Sequence, residues 1–163
     1  MNLQIRAYKE QDKSDVVNLW KQVLADEAPH NDPETAIGKK VLFDDNLFFV
    51  AIVDDALVGT VMGGYDGHRG WIYAVAVNPA FCRRGIGTAL IKHMEAVLKE
   101  LGCLKANLQV RSRNRQVVKF YEKLGFNVEE NISMGKRLYA QSGANQLPKH
   151  NPVVSGSDTG RTN

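Results

Sequence analysis

The first residues alternate. In "LQIRAY" (residues 3–8) apolar and polar side chains swap faces, the period of a half-buried strand. The period then lengthens: Val16, Val17, Trp20, Val23 and Leu24 share one face of a helix that Asp12 or Ser14 can cap. In "NDPETAIGKKVLF", Asp32 stands as N-cap and Pro33 at the first helical position, predicting a second helix to about Phe43. "LFFVAIV", then Asp54-Asp55, then "LVGTVMGGY" read as two strands around a tight turn, and "WIYAVAV" follows "DGHRG" as a third. Links this short make the three strands antiparallel neighbours.

Beyond them Ile86, Leu90, Met94, Val97 and Leu101 form one apolar stripe on a helix ending near Gly102. "LKANLQV" then alternates, with Leu104, Ala106, Leu108 and Val110 on one side. It lies one helix past the third meander strand, so a parallel, right-handed crossover is expected. Asn114 can cap a further helix that stops at Gly125, and "FNVEENISMGKRLY" supplies two last strands. The order β-α-α-β-β-β-α-β-α-β-β predicts an α/β (α+β mixed) fold. Its sheet should have about six to seven strands, mixed but mostly antiparallel, with helices on both faces. Residues 140–163 are rich in Gly, Ser, Asn and Pro without periodicity, and are expected to form a mobile tail behind a domain spanning 1–139.

Composition narrows the function. A chain of 163 residues, 44% hydrophobic and 24% charged, suits one soluble domain. Its formal charge of +3 is too small, and has no basic stripe, for a nucleic-acid partner, but suits a site for a small anion. No apolar run reaches a membrane span, and "MNLQIRAYKEQD" lacks the apolar core of a secretory leader, so a cytoplasmic protein without a membrane partner is expected. Cys82 and Cys103 have no metal-like spacing, so no metal is expected; they suit a reducing compartment.

The chemistry concentrates in "NPAFCRRGIGTALIKHM", where a strand gives way to the long helix. A helix start leaves amides without partners and carries the positive end of the dipole. Gly85 and Gly87 let an anion reach that backbone, and Arg83 and Arg84 add charge beside it. This arrangement fits phosphate, most simply a pyrophosphate; turn glycines beside solvated arginines are the structural alternative. The common nucleotide motifs do not fit. There is no GxxxxGK[ST], "GIGTAL" lacks the third glycine of a dinucleotide fingerprint, and the preceding strands form a meander.

"VAVNPAFCRRGIGTALI" followed by "LQVRSRNRQVVKFYEKLGF" resembles the GNAT superfamily of acetyl-CoA-dependent N-acetyltransferases. The family's loop, Gln/Arg-x-x-Gly-x-Gly/Ala, corresponds to residues 82–87, and its Asn-x-x-Ala-x-x-Leu/Phe-Tyr-x-x-x-Gly-Phe motif to residues 114–126. Cys82 and Val117 depart from the usual Gln/Arg and Ala. The likeness covers residues 3–139, and "GTVMGGYDGHRG" resembles a bacterial subgroup.

The resemblance implies a sheet splayed between the third meander strand and the parallel strand after the helix, with acetyl-CoA as co-substrate in the gap. Val75, Ala76 and Val77 would pair with the pantetheine arm, and Arg83, Arg84, Gly85, Ile86, Gly87 and Thr88 would hold the pyrophosphate. Asn114 would touch the arm or cap its helix. Tyr121, two helical turns later on the same face, would protonate the departing thiolate or serve as a core residue. The acceptor would be an amine of a small molecule or a peptide; another acyl group or acceptor, or a CoA-binding module without turnover, are the alternatives. A homodimer is compatible with the sequence. The family's usual glutamate is missing from "WIYAVAV", which leaves Asp66, His68, Tyr73, Glu27 and Asp32 as candidates for the base. Trp20, Asn31 and Asp32 come from the region that forms the acceptor wall, though Asp32 also explains itself as a cap.

Overall fold

Capping chemistry fixes the start of the chain in the computed structural model, which describes residues 1–24 and 28–139. Strand β1 (Leu3–Ala7) passes through a short turn into helix α1 (Lys13–Val23). Asp12 stands at the N-cap position, yet its carboxylate bonds no helix amide. It accepts instead from both guanidinium nitrogens of Arg6, at 2.7 and 2.8 Å, and from the Lys9 amide at 2.8 Å. The Arg6 bonds hold the Asp12 carboxyl below the usual carboxylate range and tie β1 to the start of α1. Helix α2 spans Pro33–Phe43, with Pro33 in its first turn and the Asp32 carboxylate accepting from the Thr35 amide at 2.9 Å.

The meander follows as β2 (Phe48–Val53), β3 (Ala56–Tyr65) and β4 (Gly70–Val77). Asp54 and Asp55 join β2 to β3 with φ of 47° and 66°, the paired positive values of a turn whose twist matches a hairpin. The Asp66 carboxylate shapes the next turn, accepting from the His68 and Arg69 amides at 2.7 Å each. Helix α3 (Ile86–Glu100), strand β5 (Ala106–Leu108) and helix α4 (Arg115–Glu122) complete the regular elements among the described residues. The sheet order is β1-β2-β3-β4-β5, antiparallel throughout except for the β4–β5 pair.

Both faces of the sheet are covered. Ile86, Leu90, Ile91, Met94 and Leu98 of α3 pack with Phe49, Val61, Ile72 and Tyr121 on one face. Val16, Val17, Trp20 and Ile37 pack with Phe48, Val50, Met62 and Ala76 on the other. Each fully buried Val, Leu, Ile, Phe or Met among them contributes about 1.5–3 kcal/mol.

Among the described residues the sheet has five strands where the alternation predicts six to seven, because residues 126–139 form no strand. Alternation specifies a strand only where its apolar face is covered, and Val128, Ile132, Met134 and Leu138 are exposed. For the same reason β5 is shorter than its pattern: Leu104 is 97% exposed and lies outside the strand. Residues 1–127 form one compact unit, to which the described residues 128–139 do not belong. Glu27 and the tail 140–163 lie outside the described residues. Among the described residues no helix is long and apolar enough to cross a membrane.

Candidate active site

The site begins where two strands part. β4 and β5 pair at Gly70–Ala106, Trp71–Asn107 and Ile72–Leu108, and β4 then runs on to Val77 still paired with β3 but with no described strand on its β5 side. That edge contains Val75, Ala76 and Val77. A bulge opens this stretch: Thr60 faces Ala76 and Met62 faces Tyr73, so Val61 alone opposes both Ala74 and Val75. Ala74 takes a φ of 49°, a left-handed conformation that costs an L-residue about 1–2 kcal/mol. The extra residue reverses the strand's parity. Before it Ile72 faces the α3 side; after it Val75 and Val77 do, while Ala74 and Ala76 face α1.

The chain leaves β4 through Asn78, whose side chain accepts from the Ala80 amide at 3.0 Å, and passes Cys82 into the loop before α3. Arg83 and Gly85 both adopt positive φ, 62° and 81°. Gly85 is the N-cap of α3 and offers no side chain to the first helical amides. Alternate left-handed residues before a helix start curl the backbone into a concavity of N–H groups suited to an anion. Arg83 and Arg84 are exposed beside it, and the Arg84 guanidinium stands 5.1 Å from the Phe81 ring centroid. Ile86 buries its side chain in the core. A Cβ on Gly87 would lie 3.3 Å from Phe120 Cζ and 3.7 Å from Val77 Cγ2, so its absence lets α4 close against α3 and β4. Thr88 is half-buried one residue on.

Asn114 occupies the N-cap position of α4 and is exposed, but its side chain makes no capping bond. Of the two roles open to it in the sequence, side-chain capping is the one the structure does not use. Tyr121 points inward, edge-on to Phe120 and Phe126 with centroids at 5.0 and 5.7 Å. Burial pushes its phenol up to about 12, so it stays protonated at neutral pH. It can donate a proton but is a poor acceptor of one.

The acceptor-side candidates are spread over several elements. Trp20 is 4% exposed, and its indole N–H donates to Thr60 Oγ1 at 2.8 Å, which places it in the core under the sheet. Asn31 is exposed and closes the turn before α2. Asp32 and Asp66 have lowered pKa values because each accepts backbone hydrogen bonds, Asp32 from Thr35 and Asp66 from Arg69 and His68. His68 is exposed in the hairpin turn. Tyr73 is exposed on β4 and donates its hydroxyl proton to the Gly63 carbonyl at 3.3 Å. The sequence reading missed two residues there. Lys40, buried at the end of α2, pairs with Asp45 at 2.6 Å, donates to the same Gly63 carbonyl, and lies 5.7 Å from the Tyr73 ring centroid. The one signal for Lys40 was a lysine in a helix's last turn, ordinarily a solvated partner of the dipole.

An open strand edge past a parallel pair, beside a helix start shaped for an anion, is an α/β arrangement suited to a nucleotide-like cofactor. Residues 14–126 match the Acetyltransferase (GNAT) family. An acetyltransferase of Yersinia enterocolitica is 44% identical over 138 residues, covering 83% of this chain and 96% of the relative. The PaiA N-acetyltransferase of Thermoplasma acidophilum, solved with coenzyme A, superposes with a TM-score of 0.71 at 23% identity, covering 81% of this chain and 94% of that one. The ribosomal-protein-S18-alanine N-acetyltransferase of Escherichia coli superposes with a TM-score of 0.67 at 20% identity over 77% and 78% of the two chains. The chain belongs to the GNAT acetyltransferase family. Its reaction is the transfer of an acetyl group from acetyl-CoA to an amine.

Proposed function

We propose that acetyl-CoA binds along the open edge of β4, with its pyrophosphate on the loop before α3 and its thioester beside Tyr121. The observation that carries this reading is the β4 edge at residues 75–77, which no described strand covers on the β5 side, next to a loop in which Arg83 and Gly85 are both left-handed. Val75, Ala76 and Val77 supply backbone groups to the pantetheine arm. The amides of residues 85–88 and the charges of Arg83 and Arg84 take the pyrophosphate, and Asn114, its side chain uncommitted to capping, reaches the arm.

Tyr121 then meets the sulfur as the carbon–sulfur bond breaks, giving its hydroxyl proton to the departing thiolate. A phenol raised to about 12 is fully protonated for that task. The acceptor amine must be neutral to attack, and a lysine-like amine at pH 7 needs about 4.6 kcal/mol to lose its proton. Asp32 and Asp66 are made weaker bases by the hydrogen bonds that lower them. In this reading water takes the proton, and the acceptor approaches past Tyr73, whose hydroxyl is anchored on Gly63 and whose ring lies beside Lys40. The acceptor is a small-molecule or peptide amine. Two unpaired thiols, Cys82 and Cys103, suit work in the reducing cytoplasm.

The test is release of CoA thiol from acetyl-CoA against a panel of small amines, polyamines, aminoglycosides, amino acids and peptide N-termini. Amide exchange with and without CoA locates the cofactor. Turnover on one class with CoA-dependent protection at residues 75–77 and 83–88 is expected. Protection elsewhere refutes the placement.

A further inference from the structure

A hydrogen-bonded relay crosses the sheet beneath the bulge. The Trp20 indole N–H donates to Thr60 Oγ1 at 2.8 Å, and the Thr60 hydroxyl donates to the Ala74 carbonyl at 3.0 Å. Trp20 is nearly buried and Thr60 is fully buried. The geometry fixes the direction of the relay. An indole nitrogen can only donate, so Thr60 must accept there, and its single proton is left for Ala74. The indole thereby sets the rotor of the hydroxyl.

The target of that proton is the strained residue of the strand. Ala74 is left-handed at φ 49° and sits where the β3–β4 ladder skips from Thr60–Ala76 to Met62–Tyr73. Strand pairing alone does not hold such a residue, because the bulge interrupts the ladder there. If the strand relaxed to regular pairing, the slip of one residue would carry Val75 and Val77 to the α1 face. The Thr60 side chain bridges the interruption from the neighbouring strand, and α1 holds Thr60 through Trp20.

We propose that Trp20 and Thr60 are positioning residues for acetyl-CoA: they hold the Ala74 bulge so that the backbone of residues 75–77 presents itself to the pantetheine arm. The inference rests on the reading above that this edge carries the arm. Neither side chain touches the cofactor. Trp20 thus acts from within the core, through the strand, rather than from a wall around the acceptor.

The test uses the full chain with Thr60→Val, which keeps the shape and removes the hydroxyl, and Thr60→Ser, which keeps the hydroxyl. Affinity for CoA is measured by calorimetry, and kcat and KM for acetyl-CoA well below the melting temperature. Thr60→Val is expected to weaken CoA binding and raise the acetyl-CoA KM at least fivefold, while Thr60→Ser stays within twofold of wild type. A role in stability alone would lower the melting temperature and leave both constants unchanged at that temperature; that result in folded Thr60→Val overturns the proposal. If Thr60→Val does not fold, Trp20→Phe drops the N–H and keeps a large ring. It should weaken CoA at least threefold, and unchanged affinity again overturns the relay. Amide exchange on the wild type separates the two readings. If CoA protects residues 75–77 while Thr60→Val binds normally, the relay alone falls. If CoA leaves 75–77 unprotected, the strand reading falls and takes the relay with it.

Discussion

Replacing Tyr121 by Phe removes one oxygen and nothing else that the core uses. The ring stays edge-on to Phe120 and Phe126 at centroid distances of 5.0 and 5.7 Å, so packing survives. The magnitude follows from the phenol's environment. Burial raises it to about 12, whereas a free thiol titrates near 8.5. Complete transfer to a free thiolate would run uphill by about 3.5 pKa units, or roughly 5 kcal/mol. The hydroxyl therefore helps chiefly while negative charge builds on sulfur, and its loss should fall at the low end of general acid catalysis, about 10²-fold in kcat. Affinity for acetyl-CoA should remain nearly constant, since the interaction belongs to the transition state. The assay is single-turnover CoA release with a good acceptor, under conditions where chemistry limits the rate. A Tyr121→Phe enzyme with wild-type kcat there refutes the assignment and leaves the ring as core and water as the acid. The raised phenol gives a second readout. Because its folded value lies above the ordinary 10, its contribution to stability is whole below pH 10 and is lost as pH rises toward about 12. Melts across that window should fall less steeply for Tyr121→Phe than for wild type.

Gly87→Leu forces a side chain into Phe120 and Val77, the first contact already at 3.3 Å from Cβ, so α4 must move away from the loop. CoA affinity should drop at least tenfold, about 1.4 kcal/mol, with a further 1–3 kcal/mol or so of stability lost to overpacking; calorimetric affinity within twofold of wild type in a folded variant would contradict this. Asp12→Asn tests the tie between β1 and α1. The Asp12 carboxyl is lowered by Arg6, so its contribution is present above the ordinary carboxylate value and disappears as pH falls through its folded value. The variant should melt below wild type at pH 7, with the gap closing in strong acid; an unchanged gap shows that the charge contributes nothing.

Much of this protein was legible because the signals are local. Asp32 and Pro33 start α2 through bonds made within one helical turn, and its span of Pro33–Phe43 is the one the sequence predicts. Asp54-Asp55 makes its turn from its own backbone preferences, and the loop at residues 82–87 carries its glycines and arginines in line. Other features depend on what lies across the sheet. "WIYAVAV" alternates evenly, and nothing within it marks Ala74 as the bulge; the skip is visible only in the register against β3, and the Thr60 hydroxyl that bonds the Ala74 carbonyl is a partner fourteen residues away. Trp20 could equally line a wall or enter the core until α1 settles on β3, and Lys40 finds Asp45 and the Gly63 carbonyl only once α2 lies against the meander. The same dependence shortened β5 and left residues 126–139 without a strand, since an alternating pattern gains its stability only from a face that covers it. Caps, turns and periods act over a few residues and can be read in order along the chain. Register, bulges and buried polar partners are set by residues far apart in sequence, and tertiary contact alone decides them.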